Sequence, residues 1–427
     1  MIFSARVGAG HDAVAAELAA RLGEAGVEVE RCDFLDTLPG PVGRMVLNSY
    51  QRMLSSAPWS WTALYRAIDN GPAVRLQARL VTMLAGRAMR RRVAGTSKAS
   101  GGTRAAGFSG AAAAAGQVRR PTVAVATYPL AAQALGRMRA QGSLDVPAVT
   151  YLTDFSVHRV WVAEGVDRNL AVHQVPGAQA QEAGAAGVTV VAPVVDRRFT
   201  PGTPALRAAA RVRWGLPQDA RLALLVGGSW GAGEIERTVA DIEATRTGTT
   251  CVVVCGRNEE LRERLLASGL RHVHGWVEDM PSLMHAADVL VQNAGGISVL
   301  EAVNSGLPVI TYRSIPGHGL TNSAALDEAG VARWVRSPDG LGEALEEAFL
   351  THESYRSPHQ TGVRSVVTLP GADPVAAVLE AAGVGARGRV PVVADERNTS
   401  TMPGPSSTTA SSVAGTSALA AVAEQAR

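Results

Sequence analysis

Short apolar runs alternate with helix-patterned stretches along most of the chain, and their order predicts the elements. Ile2-Phe3-Ser4 reads as the clipped tail of a strand, as if the true start lay upstream. A helix follows with Val14, Leu18 and Leu22 on one face, ending near Gly26. Val27–Cys32 alternates as a second strand, and helical pattern then runs from about Pro41 to Arg92, broken at Pro58 and at Gly71-Pro72. Strand signals return at Thr122–Thr127, Ala148–Thr153 and Asn169–His173. Past a Pro/Gly-rich hinge, Phe199–Pro204, come Leu222–Val226, Cys251–Cys255, Val289–Val291 and Pro308–Thr311. These later runs do not alternate, as expected of parallel strands covered on both faces.

The pattern predicts an α/β chain of two Rossmann-like, doubly wound domains facing a cleft. The first spans 1–198, with a low-complexity, flexible insertion at 95–118. The second spans 199–380, and a Ser/Thr/Ala/Gly-rich tail, 387–427, is expected to be disordered.

Composition changes this picture little. A net charge of +3 is too small for a nucleic-acid binder, and Lys98 is the sole lysine among 41 basic residues, which fits a coding bias. Three cysteines, Cys32, Cys251 and Cys255, cannot make a disulfide framework. They read as core residues of a cytoplasmic protein rather than metal ligands. No apolar run reaches the ~18–20 residues of a spanning helix, so any membrane contact is peripheral.

Glycine loops at strand ends carry the candidate chemistry. Gln292-Asn-Ala-Gly-Gly-Ile-Ser-Val-Leu-Glu301 leaves a strand and opens a helix. Bare backbone at Gly295 and Gly296, with Ser298, suits a phosphate, and Glu301 stands one turn on, within reach of ribose hydroxyls. A tight turn with a surface glutamate has the same pattern. Val226-Gly-Gly-Ser-Trp-Gly-Ala-Gly233 repeats the arrangement with Gly228, Ser229 and Gly231. Two such loops in one domain fit a nucleoside diphosphate. Neither is a G-x-x-x-x-G-K-[ST] loop, which disfavours a kinase or ATPase. Gly8-Ala-Gly10-His11 places an imidazole at a helix mouth, as a general base for a hydroxyl or merely a cap. Asp154 and His158, four apart after a strand, either orient a substrate and tune His11 or form a structural pair. Arg75, Arg79, Arg87 and Arg90 fall within roughly 120° of helix with Leu76 and Met83. With Trp59 and Trp61 nearby, that face suits an anionic lipid surface, or solvent over a packed core.

Taken together, Gly8-Ala-Gly-His11, Thr153-Asp154…His158…Trp161, Gly227-Gly-Ser-Trp-Gly, Cys255-Gly-Arg-Asn258, Gly275-Trp-Val-Glu-Asp-Met280 and Asn293-Ala-Gly-Gly296 through Glu301 resemble one family. It is the monogalactosyldiacylglycerol-synthase-like glycosyltransferases, related to the enzyme that adds N-acetylglucosamine to the peptidoglycan lipid intermediate. The resemblance runs to about residue 350. It implies the two-domain GT-B fold, a UDP-sugar donor, inversion at the sugar, a membrane-lipid acceptor such as diacylglycerol or a polyprenyl lipid, no cofactor, no required metal and a place on the inner membrane face. It also implies His11 as base, Gly228, Ser229, Gly231, Gly295, Gly296 and Ser298 near the diphosphate, Glu301 on ribose, the backbone at Val277 on uracil, and Asn258 in the donor site. Relatives often carry Pro-Gly-Gln-Glu and then asparagine. Here Pro316-Gly-His318-Gly319 precedes Asn322, which removes a carboxylate from the sugar-binding position. A soluble transferase on a small metabolite, an epimerase and a non-catalytic UDP-binding homologue remain as alternatives.

Overall fold

The computed structural model describes residues 1–56, 71–95, 120–356 and 369–384. The expected break at Pro58 with Trp59 and Trp61, nearly all of the 95–118 insertion and the 387–427 tail lie outside the described residues.

Two parallel six-stranded sheets carry the chain. In the first, β1 (Ile2–Ser4), β2 (Arg31–Asp33), β3 (Ala124–Ala126), β4 (Ala148–Tyr151), β5 (Arg168–Ala171) and β6 (Val188–Val190) lie in the order β2-β1-β3-β4-β5-β6. In the second, β7 (Arg221–Val226), β8 (Thr249–Val254), β9 (Val273–His274), β10 (Val289–Gln292), β11 (Val309–Tyr312) and β12 (Arg333–Val335) lie in the order β12-β11-β10-β7-β8-β9. The predicted fold class, two doubly wound α/β units, is the observed one. Leu222, Ala223, Leu224 and Leu225 of β7 are buried on both faces of their sheet, which is why the strand does not alternate.

The sheet orders locate the ligand-binding edges. In the second sheet strand order reverses between β7 and β10, and in the first β1 has neighbours on both sides. Crevices at such switch points open beyond the carboxyl ends of the strands. The loops that leave β1, β7 and β10 there are the three glycine loops.

Several boundaries differ from expectation. Val27–Glu30 is extended without pairing, and only Arg31–Asp33 joins the sheet. Strands β6, β9 and β12 were not predicted. They are sheet-edge strands of two or three residues, too short to show a period. The largest departure is at the C-terminal end of the described chain. Ala372 bridges Val191 beside β6, and the helix Pro374–Ala381 packs on the helix Ala9–Glu24 and on β4 and β5. This segment, assigned from the sequence to the second domain, therefore completes the first. Its buried Val378 covers a sheet face, and an apolar helix face carries no mark of which sheet it will cover.

Candidate active site

His11 sits in the first turn of Ala9–Glu24, just past the carboxyl end of β1. Its Nδ1 lies 2.8 Å from the carbonyl oxygen of Thr127 and 2.9 Å from Thr153 Oγ1. A carbonyl only accepts, so Nδ1 carries the proton and the neutral ring presents a lone pair at Nε2. Burial holds the pKa of His11 below its ordinary value, against the opposing pull of the Asp154 carboxylate. Tyr128 packs edge-on at 5.3 Å and Trp161 lies tilted at 6.0 Å, fixing the ring plane. Asp154 in turn accepts from Trp161 Nε1 at 2.8 Å. His318, the first residue of the helix His318–Glu328, is shifted down by burial and feels both Asp154 and His11. One carboxylate and two imidazoles thus share the cleft.

The glycine loops of the second sheet are neighbours. Val226 and Gln292 are paired in register, so both loops depart at one level. Asn293 Nδ2 donates to Ala232 O at 2.8 Å, tying one loop to the other. Both meet the first half of the chain. Ala9 N–H donates to Ser229 Oγ at 3.1 Å, and Trp230 Nε1 donates to Val7 O at 3.1 Å. A methyl added at Gly10 would stand 3.4 Å from Ile297 Cγ2, so the first turns of Ala9–Glu24 and Ile297–Asn304 touch across the cleft. Gly8, the N-cap, has open space around it. Within this arrangement the backbone N–H groups of Gly228, Ser229 and Trp230, and those of Gly296, Ile297 and Ser298, make no hydrogen bond among the described residues.

One expectation about the loops is corrected. The N–H of Gly295 does not face outward: Gln292 Oε1 takes both it, at 2.6 Å, and that of Ala294, at 2.7 Å. Gly295 is required for another reason, because φ is +68° and a Cβ there would lie 2.4 Å from Asn322 Cβ.

Glu301, on the helix that opens at Ile297, has a carboxyl pushed up to about 7, first by burial and then by the Asp196 carboxylate. Its carboxyl has no hydrogen-bond partner among the described residues. Val277 lines a separate pocket of 510 Å³ with Trp276, Trp214, His274 and Arg262. The Arg257 guanidinium lies 4.0 Å over the Trp276 ring and 5.8 Å from that of Trp230, and so spans the distance from this pocket to the first glycine loop.

Three predicted site residues make hydrogen bonds that hold the scaffold. His158 Nδ1 caps the turn Arg159–Trp161 by accepting from Val160 N–H at 3.3 Å. Asn258 caps the helix Glu259–Ala267 through Leu261 N–H at 2.9 Å and holds the carbonyls of Trp230 and Gly231 from behind. Asn322 is fully buried, with its amide bonded to Ser156 and to Ala294 O. Sequence reasoning missed Thr127, Thr153, Gln292, Trp230 and Arg257. Thr127 and Thr153 follow β3 and β4, and Gln292 ends β10, so polar residues at strand ends beside a glycine loop were the available signal. Trp230 and Arg257 lie inside quoted motifs, Gly227-Gly-Ser-Trp-Gly and Cys255-Gly-Arg-Asn258, but only the fold shows what they touch.

Comparisons with known proteins agree with these motifs. Residues 113–192 match the family model for monogalactosyldiacylglycerol (MGDG) synthase, and residues 224–349 match that for glycosyl transferases group 1. A processive diacylglycerol beta-glucosyltransferase of Bacillus pumilus is 24% identical over 57% of this chain and 64% of its own length. The enzyme of the same name from Bacillus mycoides is 26% identical over 55% of this chain and 61% of its own length. The chain thus spans less than two thirds of these relatives. Among solved structures, the glycotransferase of kitacinnamycin matches 82% of this chain and 89% of its own at 17% identity, with a TM-score of 0.47. MurG of Acinetobacter baumannii matches 83% of this chain and 94% of its own at 14% identity, with a TM-score of 0.43. One segment of each half, 113–192 and 224–349, thus matches a glycosyltransferase family model.

Proposed function

We propose that the chain is an inverting glycosyltransferase that moves a hexosyl group from a UDP-sugar to a lipid hydroxyl at the inner face of the cell membrane. The observation that carries this reading is the direct docking of the first glycine loop onto the helix mouth that bears His11. A diphosphate seated on the free N–H groups of Gly228–Trp230 and Gly296–Ser298 lies next to that imidazole. Uracil enters the pocket at Val277, and Glu301 accepts from the ribose hydroxyls. Arg257, held over Trp276, adds a cation between base and phosphates.

In the reaction His11 Nε2 takes the proton of the acceptor hydroxyl while Nδ1–H stays on Thr127 O. The freed oxygen attacks the anomeric carbon from the face opposite the diphosphate. The bond from that carbon to the phosphate oxygen breaks, and UDP leaves with the pair. Asp154 steadies the imidazolium that forms. The loop N–H groups and the dipole of Ile297–Asn304 offset the charge that grows on UDP. Closure of the two halves keeps water, the competing nucleophile, away from the donor.

The acceptor reading is supported by the helix Gly71–Val93. Val74, Ala78, Val81, Ala85 and Met89 pack inward, whereas Leu76, Leu80, Met83 and Leu84 are exposed, Met83 at 71%. Arg75, Arg79, Arg87 and Arg90 share that outer face and are exposed, a pattern suited to anionic headgroups over acyl chains. Among the described residues no helix is long and apolar enough to cross a membrane.

Incubating the protein with a panel of UDP-sugars and total membrane lipid, followed by mass analysis, tests the reading. A new glycolipid is the expected product. Transfer to a small metabolite, epimerised UDP-sugar, or UDP binding without turnover across the panel would each replace it. Binding to anionic liposomes that Met83→Glu and Leu80→Glu weaken tests the surface, and equal flotation of wild type and variants would remove it.

A further inference from the structure

Each glycine loop is hydrogen-bonded to a different segment of the first half. The Gly227–Gly233 loop reaches Ala9, two residues before His11, through Ser229. The Gln292–Gly296 loop reaches Ser156, two residues beyond Asp154, and it does so through one side chain. Asn322 Nδ2 donates to Ala294 O at 3.0 Å, while Asn322 Oδ1 accepts the Ser156 backbone N–H at 2.8 Å and lies 2.8 Å from the Ser156 hydroxyl.

This amide is committed. Oδ1 takes the Ser156 backbone N–H and shares the Ser156 hydroxyl proton with Thr321 Oγ1, the residue is 0% exposed, and its Cβ side abuts Gly295 so closely that no Cβ fits there. It therefore has no free face for a sugar. The segment it grips is anchored at its other end by Trp161 Nε1 on Asp154, whose partner ring flanks His11. Asp154–Ser156 is thus pinned to both halves of the molecule, to the second through Asn322 and Thr321.

Resting on the transferase reading, we propose that Asn322 is a positioning residue: it sets the Asp154 carboxylate relative to His11 whenever the second glycine loop is docked. A shift of Gly295 on filling the cradle is passed through the buried amide to Ser156, and thence to the carboxylate that faces the base. The link is polar rather than apolar. When the halves part, water can satisfy Ser156 N–H and Asn322 Oδ1, so docking is reversible at modest cost.

The groups facing His11 are Asp154, Asp12, His318, Thr127, Thr153, Tyr128 and Trp161. Among them Asp154 is the largest influence holding the His11 pKa up, so releasing it should lower that pKa. The test titrates the full chain labelled with ¹³C-histidine by NMR, without nucleotide, identifying the His11 signal by its loss in His11→Gln. Asn322→Ala should shift the His11 midpoint downward by about 0.3 pH unit or more. Ser156→Ala, which keeps the backbone bond and the fold, should shift it less and in the same direction. UDP affinity by calorimetry should stay within about threefold in both. An unchanged His11 midpoint in both variants overturns the proposal, as does UDP affinity lost tenfold with the midpoint unmoved. Failure of the transferase reading would show separately, as wild-type protein that neither binds UDP nor turns over, while the titration still reports on the relay. Should Asn322→Ala not fold, Ser156→Ala alone decides.

Discussion

The two glycine loops of the second sheet look alike in sequence and leave adjacent strands at one level, yet they are built on different principles. The loop at Gly227–Gly233 is a bare turn. Its N–H groups at Gly228, Ser229 and Trp230 bond nothing among the described residues, Gly231 is left-handed with φ +55°, and the helix that follows starts only at Ile235. Its shape is held by Ala232 N–H on Gly227 O at 3.0 Å across the turn, by Asn258 behind it and by Trp230 on Val7. The loop at Gln292–Gly296 is held by Gln292 Oε1 on the N–H groups of Ala294 and Gly295 and by Asn322 on Ala294 O, and its helix starts at once, at Ile297. Helix dipole acts only within about the first turn. The second loop therefore brings a dipole to an anion and the first brings mainly hydrogen bonds. Two equal cradles, as read from the glycines, are in fact a turn and a helix end.

The sharpest way to break this contrast is at glycine. Gly295→Ala combines a left-handed backbone with a Cβ 2.4 Å from Asn322. It should cost about 3 kcal/mol or more of stability in urea unfolding. A near-neutral result would mean the second loop is not held as described. His11→Ala touches neither loop's donors. It should cut turnover by about 100-fold or more while UDP affinity by calorimetry hardly changes; a parallel loss of UDP affinity would place His11 in the donor site instead.

Glu301 rides on the helix of the second loop alone. Its carboxyl is raised from the ordinary 4.5 to about 7, so the stability it supports is full at low pH and is lost as pH rises through that window. Glu301→Gln should accordingly raise the melting temperature of the nucleotide-free protein at pH 8 but hardly at pH 4, a gain of about 1–2 kcal/mol. If the carboxylate takes ribose hydroxyls, the same change weakens UDP binding, and binding near pH 7 releases protons that calorimetry in two buffers detects. Absence of both effects demotes the residue to scaffold. The smallest effect belongs to the first loop: Gly228→Ala has no atom within 4 Å to meet and only φ +68° to bear. It should cost about 1 kcal/mol, and a cost equal to that of Gly295→Ala would erase the distinction.

The long buried strands β7, β8 and β10 were legible because strands covered on both faces must be apolar throughout. The glycine loops were legible because left-handed turns at Gly228, Gly231 and Gly295 favour glycine over other residues. His11 stood out as an ionisable group at a helix mouth, and it lies in the cleft. The short edge strands β6, β9 and β12 left no period to read. The sequence leaves His158 open between a substrate and a structural role and points Asn258 and Asn322 to the donor, because polar residues near a motif look the same whether they meet a ligand or the backbone behind it.

The chain's own order of residues determined that two parallel sheets form, where their glycine turns fall, and which imidazole stands at a helix mouth, since burial and backbone sterics act over a few neighbours. Tertiary structure alone decided that Thr127 selects the tautomer of His11, that Asn322 faces inward to Ser156, and that Pro374–Ala381 returns to the first sheet. Those outcomes join groups more than a hundred residues apart. A hydrogen bond or a buried face depends on where its partner lies in space, which local pattern does not encode.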